Sequence, residues 1–179
     1  MLNERELGQF INEHFHRTAF RLEVRDAYAV PSDGGDFARY LAGEPAPDTV
    51  RKSAWLDTLR AEREAGKVRQ WVHVVHGPIS DYLRYEMEWG YLPNLRAGAQ
   101  VRILDLAELT RPDGLVNADF WLLDDETAVL MHYDDEGRFT GAEQARDVGL
   151  YRRARDAAWD GAVPVAEYWQ DHPQYHRAA

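Results

Sequence analysis

Two histidines lie in one apolar run, Trp71-Val72-His73-Val74-Val75-His76. Imidazole is the side chain best suited to proton transfer or metal ligation near neutral pH. A spacing of three on a strand puts the two rings on opposite faces, so the pair cannot chelate one ion unless the strand ends between them. His76 precedes Gly77-Pro78, at the strand end where open α/β sheets place ligands. Two acidic clusters, Asp124-Asp125-Glu126 and Asp134-Asp135-Glu136, flank His132. A metal site would need Asp124, His132 and Asp134 to converge, but an EF-hand loop needs alternating ligands, a central Gly and a distal Glu, which are absent. Two hairpin turns account for both clusters, because Asp and Gly suit turn conformations. A hydrolytic reading of the chain rests on His76, Asp124 and His132.

Other nucleophile and phosphate motifs are missing. No serine has Gly at both −2 and +2, so there is no nucleophile elbow. No Gly-rich phosphate loop follows a strand. His14, His16, His172 and His176 have no partner in sequence. The segment Ser80-Asp81-Tyr82-Leu83-Arg84-Tyr85-Glu86-Met87-Glu88-Trp89-Gly90-Tyr91 is unusually aromatic. At helical spacing Tyr82, Leu83 and Met87 make a core face, while Tyr85 and Trp89 make a second apolar stripe. A helix apolar on two faces is either deeply buried or docks a partner. Tyr85 and Trp89 are therefore binding candidates. Arg152 and Arg155 share a face of the one local basic run, residues 151–159, and are candidates for an acidic partner or phosphate. The competing reading pairs these arginines with the chain's own excess acid.

The elements that must position these residues follow from periodicity. Leu7, Phe10, Ile11 and Phe15 predict an amphipathic helix over residues 4–17. Phe20, Leu22 and Val24 alternate with Arg21, Glu23 and Arg25, a half-buried strand within 18–30. A short helix at 36–42 precedes the Gly/Pro-rich stretch 43–48. Ser53 is a plausible N-cap for a helix over 55–65, closed by Gly66. Strand 68–76 follows, then the aromatic helix, which Pro93 should break. Strands are expected at 100–106, 119–123, 127–133 and 138–143, and helices at 147–159 and 164–169. The unit over 68–106 has the length of a right-handed βαβ crossover, and the later strands should be antiparallel. The fold expected is a mixed α/β or α+β domain over 1–179, with residues 1–48 as a candidate flanking subdomain.

The chain has 179 residues, enough for one core, and a net charge of −10 with no cysteine. An acidic chain lacks the positive field that nonspecific nucleic-acid or anionic-membrane binding needs. Without cysteine, disulfides, Cys-type zinc sites, iron–sulfur clusters and Cys nucleophiles are excluded. The start, Met1-Leu2-Asn3-Glu4, has no signal-like pattern and no run approaches a membrane span of about 20 apolar residues. A cytoplasmic protein is expected.

Phe20-Arg21-Leu22-Glu23, Tyr40-Leu41-Ala42-Gly43-Glu44-Pro45, Val72-His73-Val74-Val75 with Asp81-Tyr82-Leu83-Arg84-Tyr85-Glu86, Phe120-Trp121-Leu122-Leu123-Asp124-Asp125, His132-Tyr133-Asp134, and Tyr151-Arg152-Arg153 with Ala157-Ala158-Trp159 together resemble an actinobacterial family of unknown function. Its members sit beside helix-turn-helix regulators. More distantly, residues 68–134 resemble half of a phospholipase-D-like domain. The alignment that puts its motif Asp at Asp124 leaves Asn117 and Asp119 at the His and Lys positions. Asn is no phosphate-attacking nucleophile, and Asp119 reverses the charge that binds phosphate. The resemblance implies a regulatory or accessory protein without catalytic residues, cofactor or metal. Its implied partner is a protein, with a transcriptional regulator or a second copy (a homodimer) as candidates, or a small ligand.

Overall fold

The computed structural model describes residues 1–177. Among these described residues there are seven strands: β1 (Thr18–Glu23), β2 (Val68–Val75), β3 (Gln100–Asp105), β4 (Asp119–Leu123), β5 (Thr127–Tyr133), β6 (Phe139–Gln144) and β7 (Val163–Pro164). They form one sheet in the order β6-β5-β4-β1-β2-β3-β7. β1, β2 and β3 run parallel, and the other pairs are antiparallel. The fold is the expected mixed α/β architecture, and the segment between β2 and β3 is the predicted crossover. One expectation needs correction. β1 pairs with both β2 and β4, so residues 1–48 supply a central strand rather than a flanking piece.

The strand at β1 is also shorter than its pattern suggested. After Glu23 the chain folds across the end of β2, and the carbonyl of Arg25 accepts from His73 Nε2 at 2.8 Å. Two αL residues, Asp124 (φ 52°) and Asp125 (φ 59°), join β4 to β5. With Glu126 N–H bonded to Leu123 O at 2.9 Å this is a type I′ turn, whose twist matches a hairpin and which Asp tolerates.

The helices are α1 (Glu4–His14), α2 (Asp36–Leu41), α3 (Thr49–Glu64), α4 (Asp81–Tyr85), α5 (Leu92–Ala97), α6 (Val148–Gly161) and α7 (Val165–Asp171). α3 starts earlier than predicted. Asp48, not Ser53, is its N-cap, accepting from the N–H groups of Val50 and Arg51. Ser80 caps α4 as expected, accepting from Leu83 N–H at 3.1 Å. Pro93 does not break the aromatic helix. Between α4 and α5 lies a π-helical turn, Glu86–Tyr91, in which Leu92 N–H reaches back five residues to Met87 O. The widened turn shifts the carbonyl that a proline ring would otherwise strike, so the helix passes through Pro93.

Helices cover the sheet on both faces. On one, α6 lays Tyr151, Ala154 and Ala158 against Phe20, Leu22, Val72, Val74, Phe120 and Leu122, an apolar layer. The other face lies beneath α1 to α5 and α7. Here the central strands present Arg21, Glu23, Trp71, His73, Asp119, Trp121 and Tyr133. Arg21 is only 3% exposed, and His73 is fully buried. The charged face of β1 is thus an interior one.

Candidate functional site

Charges are rarely buried unless paired, and most of these are. Arg21 Nη2 donates to Asp119 Oδ1 at 2.9 Å and to Tyr133 Oη at 3.0 Å. Tyr28 Oη donates to the same Asp119 oxygen at 2.5 Å. Glu23 Oε1 lies 3.5 Å from Arg21 Nε. Burial lowers the guanidinium pKa, but Tyr133 and then Asp119 and Glu23 outweigh it and hold the pKa above its ordinary value. Arg21 Nη1, by contrast, is buried with no hydrogen-bond partner.

The protons around His73 can be counted. Nε2 faces the carbonyl of Arg25, which only accepts, so Nε2 carries a proton. Nδ1 lies 2.6 Å from Tyr91 Oη, and that hydroxyl donates its one proton to Glu23 Oε2, also at 2.6 Å. A second ring proton on Nδ1, which charges the imidazole, would be directed at Tyr91 and at the Glu23 carboxylate 3.4 Å away. Burial disfavours that charge, but the hydrogen bond and the charge of Glu23 outweigh it and raise the His73 pKa. Reciprocally, Glu23 is held down at about 2, against burial, by its hydrogen bond to His73 and the nearby Arg21 charge.

Glu86 opens the π-helical turn and behaves in the opposite way. Burial, then repulsion from Glu23, pushes its pKa up to about 7. Gly90 makes its position attainable, since a Cβ there would collide with the Glu86 carboxyl. π-Turns within α-helices are frequent at functional sites.

These groups surround a cleft with two adjoining lobes. The first, about 310 Å³, is walled by Arg21, Tyr28, Trp71, Tyr82, Glu86, Trp121 and Tyr133, among others. The second, about 460 Å³, shares Trp71, Tyr82, Glu86, Asn94 and Trp121 with it and adds Lys52, Trp55, Arg69 and Trp89. In the second lobe Asn94 Oδ1 accepts from Trp55 Nε1 at 3.0 Å and Lys52 Nζ at 3.3 Å. Arg69 forms a bidentate pair with Glu62 at 2.5 and 2.8 Å, and its guanidinium lies over the Trp55, Trp71 and Trp121 rings. The site is an aromatic box with fixed polar groups, the usual make-up of a small-molecule pocket.

The profile of a domain of unknown function, DUF6879, matches residues 5–170 of this chain. The chain belongs to the DUF6879 family. No curated protein matches it. The DUF6879 match covers β1 to β7 and therefore every strand that lines the cleft.

The DUF6879 fold separates the residues of the hydrolytic reading. Asp119 pairs with Met131 and Leu123 with Thr127, so Asp124 and His132 lie at opposite ends of one hairpin. Five strand residues separate those ends by about 17 Å, far beyond joint metal ligation. Asp124 instead accepts the N–H groups of Arg17 and Thr18, both at 2.8 Å, and fixes the start of β1. His132 pairs with Glu143 at 3.1 Å. His76 is exposed beyond the end of β2. No cluster of three or more metal-ligating side chains occurs among the described residues.

The binding candidates are also corrected in part. Tyr85 and Trp89 are buried, not on a free face, because α2 docks there through Phe37 and Tyr40. Arg177 closes the edge, stacking 4.2 Å from the Tyr40 ring and bonding Glu88. Both Tyr85 and Trp89 nevertheless line the second lobe. Arg152 and Arg155 do not converge on an open site. Arg152 bonds the carbonyl of Asp125, and Arg155 bonds the Asp125 carboxylate at 2.9 Å, so they clasp the type I′ turn. Sequence reasoning missed Arg21, Glu23, Glu86, Asn94 and Lys52 as a group.

Among the described residues, no helix is long and apolar enough to cross a membrane.

Proposed function

We propose that this DUF6879 chain is a non-catalytic, ligand-binding protein of a regulatory or accessory kind, holding a small planar molecule in the two-lobed cleft. The observation that carries the reading is Arg21 Nη1. A buried polar donor without a partner costs about 1–3 kcal/mol, more when charged. This one belongs to a side chain on the cavity wall, amid Trp and Tyr rings. A ligand acceptor there would relieve the cost, and flat rings suit the aromatic walls. Each lobe falls within the range of about 300–1,000 Å³ that small molecules occupy. In this reading occupancy is relayed to a protein, either a helix-turn-helix regulator acting beside this chain or a second copy. The net charge of −10 leaves any DNA contact to that partner. The hydrolase alternative on His76, Asp124 and His132 finds no support in their placement.

The test is a thermal-shift screen of planar heteroaromatic compounds against the wild type, followed by calorimetric titration of each hit against Arg21→Lys and Trp121→Phe. Lysine keeps the charge beside Asp119 but removes Nη1. Hits should raise the melting temperature of the wild type and lose at least about tenfold in affinity in both variants, about 1.4 kcal/mol. Hits that bind both folded variants as tightly as the wild type would sink the proposal, as would a library without hits.

A further inference from the structure

Lys52 projects from α3 into the second lobe, half-buried beside Trp55 and Asn94. Its ammonium has three donors, and its one hydrogen bond goes to a neutral acceptor, Asn94 Oδ1, at 3.3 Å. No carboxylate among the described residues lies within salt-bridge distance of it. The other cations of this lobe are different: Arg51 is paired with Asp36, and Arg69 with Glu62. Two further carboxylates stand on this wall: Asp33 is engaged with the start of α2, accepting from the N–H groups of Gly35 at 2.7 Å and Phe37 at 3.4 Å, and Glu86 faces Lys52 without a salt bridge to it. In a chain with ten more acids than bases, a partly desolvated ammonium that no carboxylate of the described residues bonds, and whose facing acid Glu86 is only partly ionised at neutral pH, lines an aromatic box.

Resting on the ligand-binding reading above, we infer that the ligand is an aromatic monocarboxylate, its ring in the aromatic lobes and its carboxylate on Lys52. A monoanion fits better than a phosphate. With Glu86 protonated, the one cation left over balances one negative charge, while a dianion would face Asp33 and the Glu86 carboxyl with nothing to neutralise the excess. Arg21 Nη1 then takes a neutral acceptor on the ring side, because Asp119 and Glu23 already surround its charge.

Glu86 supports this assignment. It shares the wall between the lobes and is faced by Glu23 from β1, His73 from β2, Lys52 from α3 and Tyr82 from its own helix. With its pKa near 7 it is an acid that can give up its negative charge when another anion arrives. Carboxylate binding should therefore take up a proton, and affinity should fall as pH rises through about 7.

The experiment titrates the full chain by calorimetry with aryl carboxylates of one to three fused rings, each beside its carboxamide and its aryl phosphate. Wild type, Lys52→Gln and Lys52→Arg are compared, with folding checked by circular dichroism. In the wild type the carboxylate should bind at least about tenfold tighter than the carboxamide. Lys52→Gln should erase that preference while leaving carboxamide affinity in place, and Lys52→Arg should retain it. A preference that persists in Lys52→Gln, a carboxamide equal to the carboxylate, or a phosphate that binds tightest would each overturn the inference while leaving the ligand-binding reading intact. If no ring of any charge binds, both fall together.

Discussion

Replacing Glu86 by glutamine should stabilise the protein above neutral pH, although the residue sits at the centre of the cleft. The carboxyl has an ordinary pKa of 4.5 and is pushed to about 7 in the fold. Each pKa unit is worth about 1.4 kcal/mol, so ionising Glu86 in the folded state costs up to about 3 kcal/mol relative to the unfolded chain. The side chain is only half-buried and meets water in the cleft, which brings the expected figure to about 2 kcal/mol. The sign follows from proton binding. The folded state holds this proton more tightly, so the wild type is favoured below pH 4.5, loses stability as pH rises towards 7, and is level beyond it. Glutamine does not titrate, and its Oε1 can still accept from Tyr82 beside the space left by Gly90. Urea unfolding of both proteins at several pH values between 4 and 8.5, roughly one unit apart, gives the difference directly. His73, Glu23 and the other titrating groups are common to both chains, so their contributions largely cancel. The variant should match the wild type near pH 4 and exceed it by about 2 kcal/mol at pH 8. A destabilised variant at pH 8, or a pH-independent difference, would refute the assignment of Glu86 as a strained acid.

Glu23→Gln should cost about 3–5 kcal/mol at neutral pH, because it leaves the buried Arg21 short of an anion and removes the carboxylate that Tyr91 and His73 share. The wild-type contribution of Glu23 is fully present above its ordinary pKa of 4.5 and is lost as pH falls through about 2, so the variant's acid-unfolding profile should be flatter in that window. Asp124→Ala removes the acceptor for three backbone N–H groups at the start of β1, and denaturant melts should show a loss of about 2 kcal/mol. Met87→Ala should cost about 2–5 kcal/mol and Trp89→Ala about 3–5 kcal/mol in the same melts, since both side chains are buried. A silent Trp89→Ala would mean that α2 does not seal this face.

Where apolar periodicity was regular, the elements were legible. The run Trp71 to Val75 became β2, and Asp134 to Gly137 became a hairpin turn. The misreadings have local causes. Thr49 to Lys52 carries no apolar stripe, so the first turn of α3 and its Asp48 cap left no signal in the pattern. A π-turn adds a residue to one helical repeat, which cannot be seen in a 3.6-residue period and which carries the helix past Pro93. The second apolar stripe of Tyr85 and Trp89 was real, but its partner is α2, separated from it by residues 42–80. Spacing along one helix says that a face must be covered and not which segment covers it.

The cleft was hidden for a related reason. Alternation in Phe20-Arg21-Leu22-Glu23 reads as one face in and one face out, because charge on a strand ordinarily means water. Helices on both sides of this sheet make the charged face an interior one. A signal was nevertheless available in the neighbouring strands. Trp71 and His73 alternate on β2 as Asp119 and Trp121 do on β4, and each set is of mixed polar and aromatic type. The observed register places Arg21 opposite both Trp71 and Trp121, and Glu23 opposite His73. Acid then meets base within reach of the cross-strand neighbours, Arg21 with Asp119 and Glu23 with His73. No single strand betrays such a site, since each charge alone looks solvated. Complementary charge on adjacent strands, with a Trp two residues from the charge on both flanking strands, is the pattern a buried polar site leaves in sequence. The one guanidinium nitrogen those partners leave unsatisfied then marks where a ligand is expected.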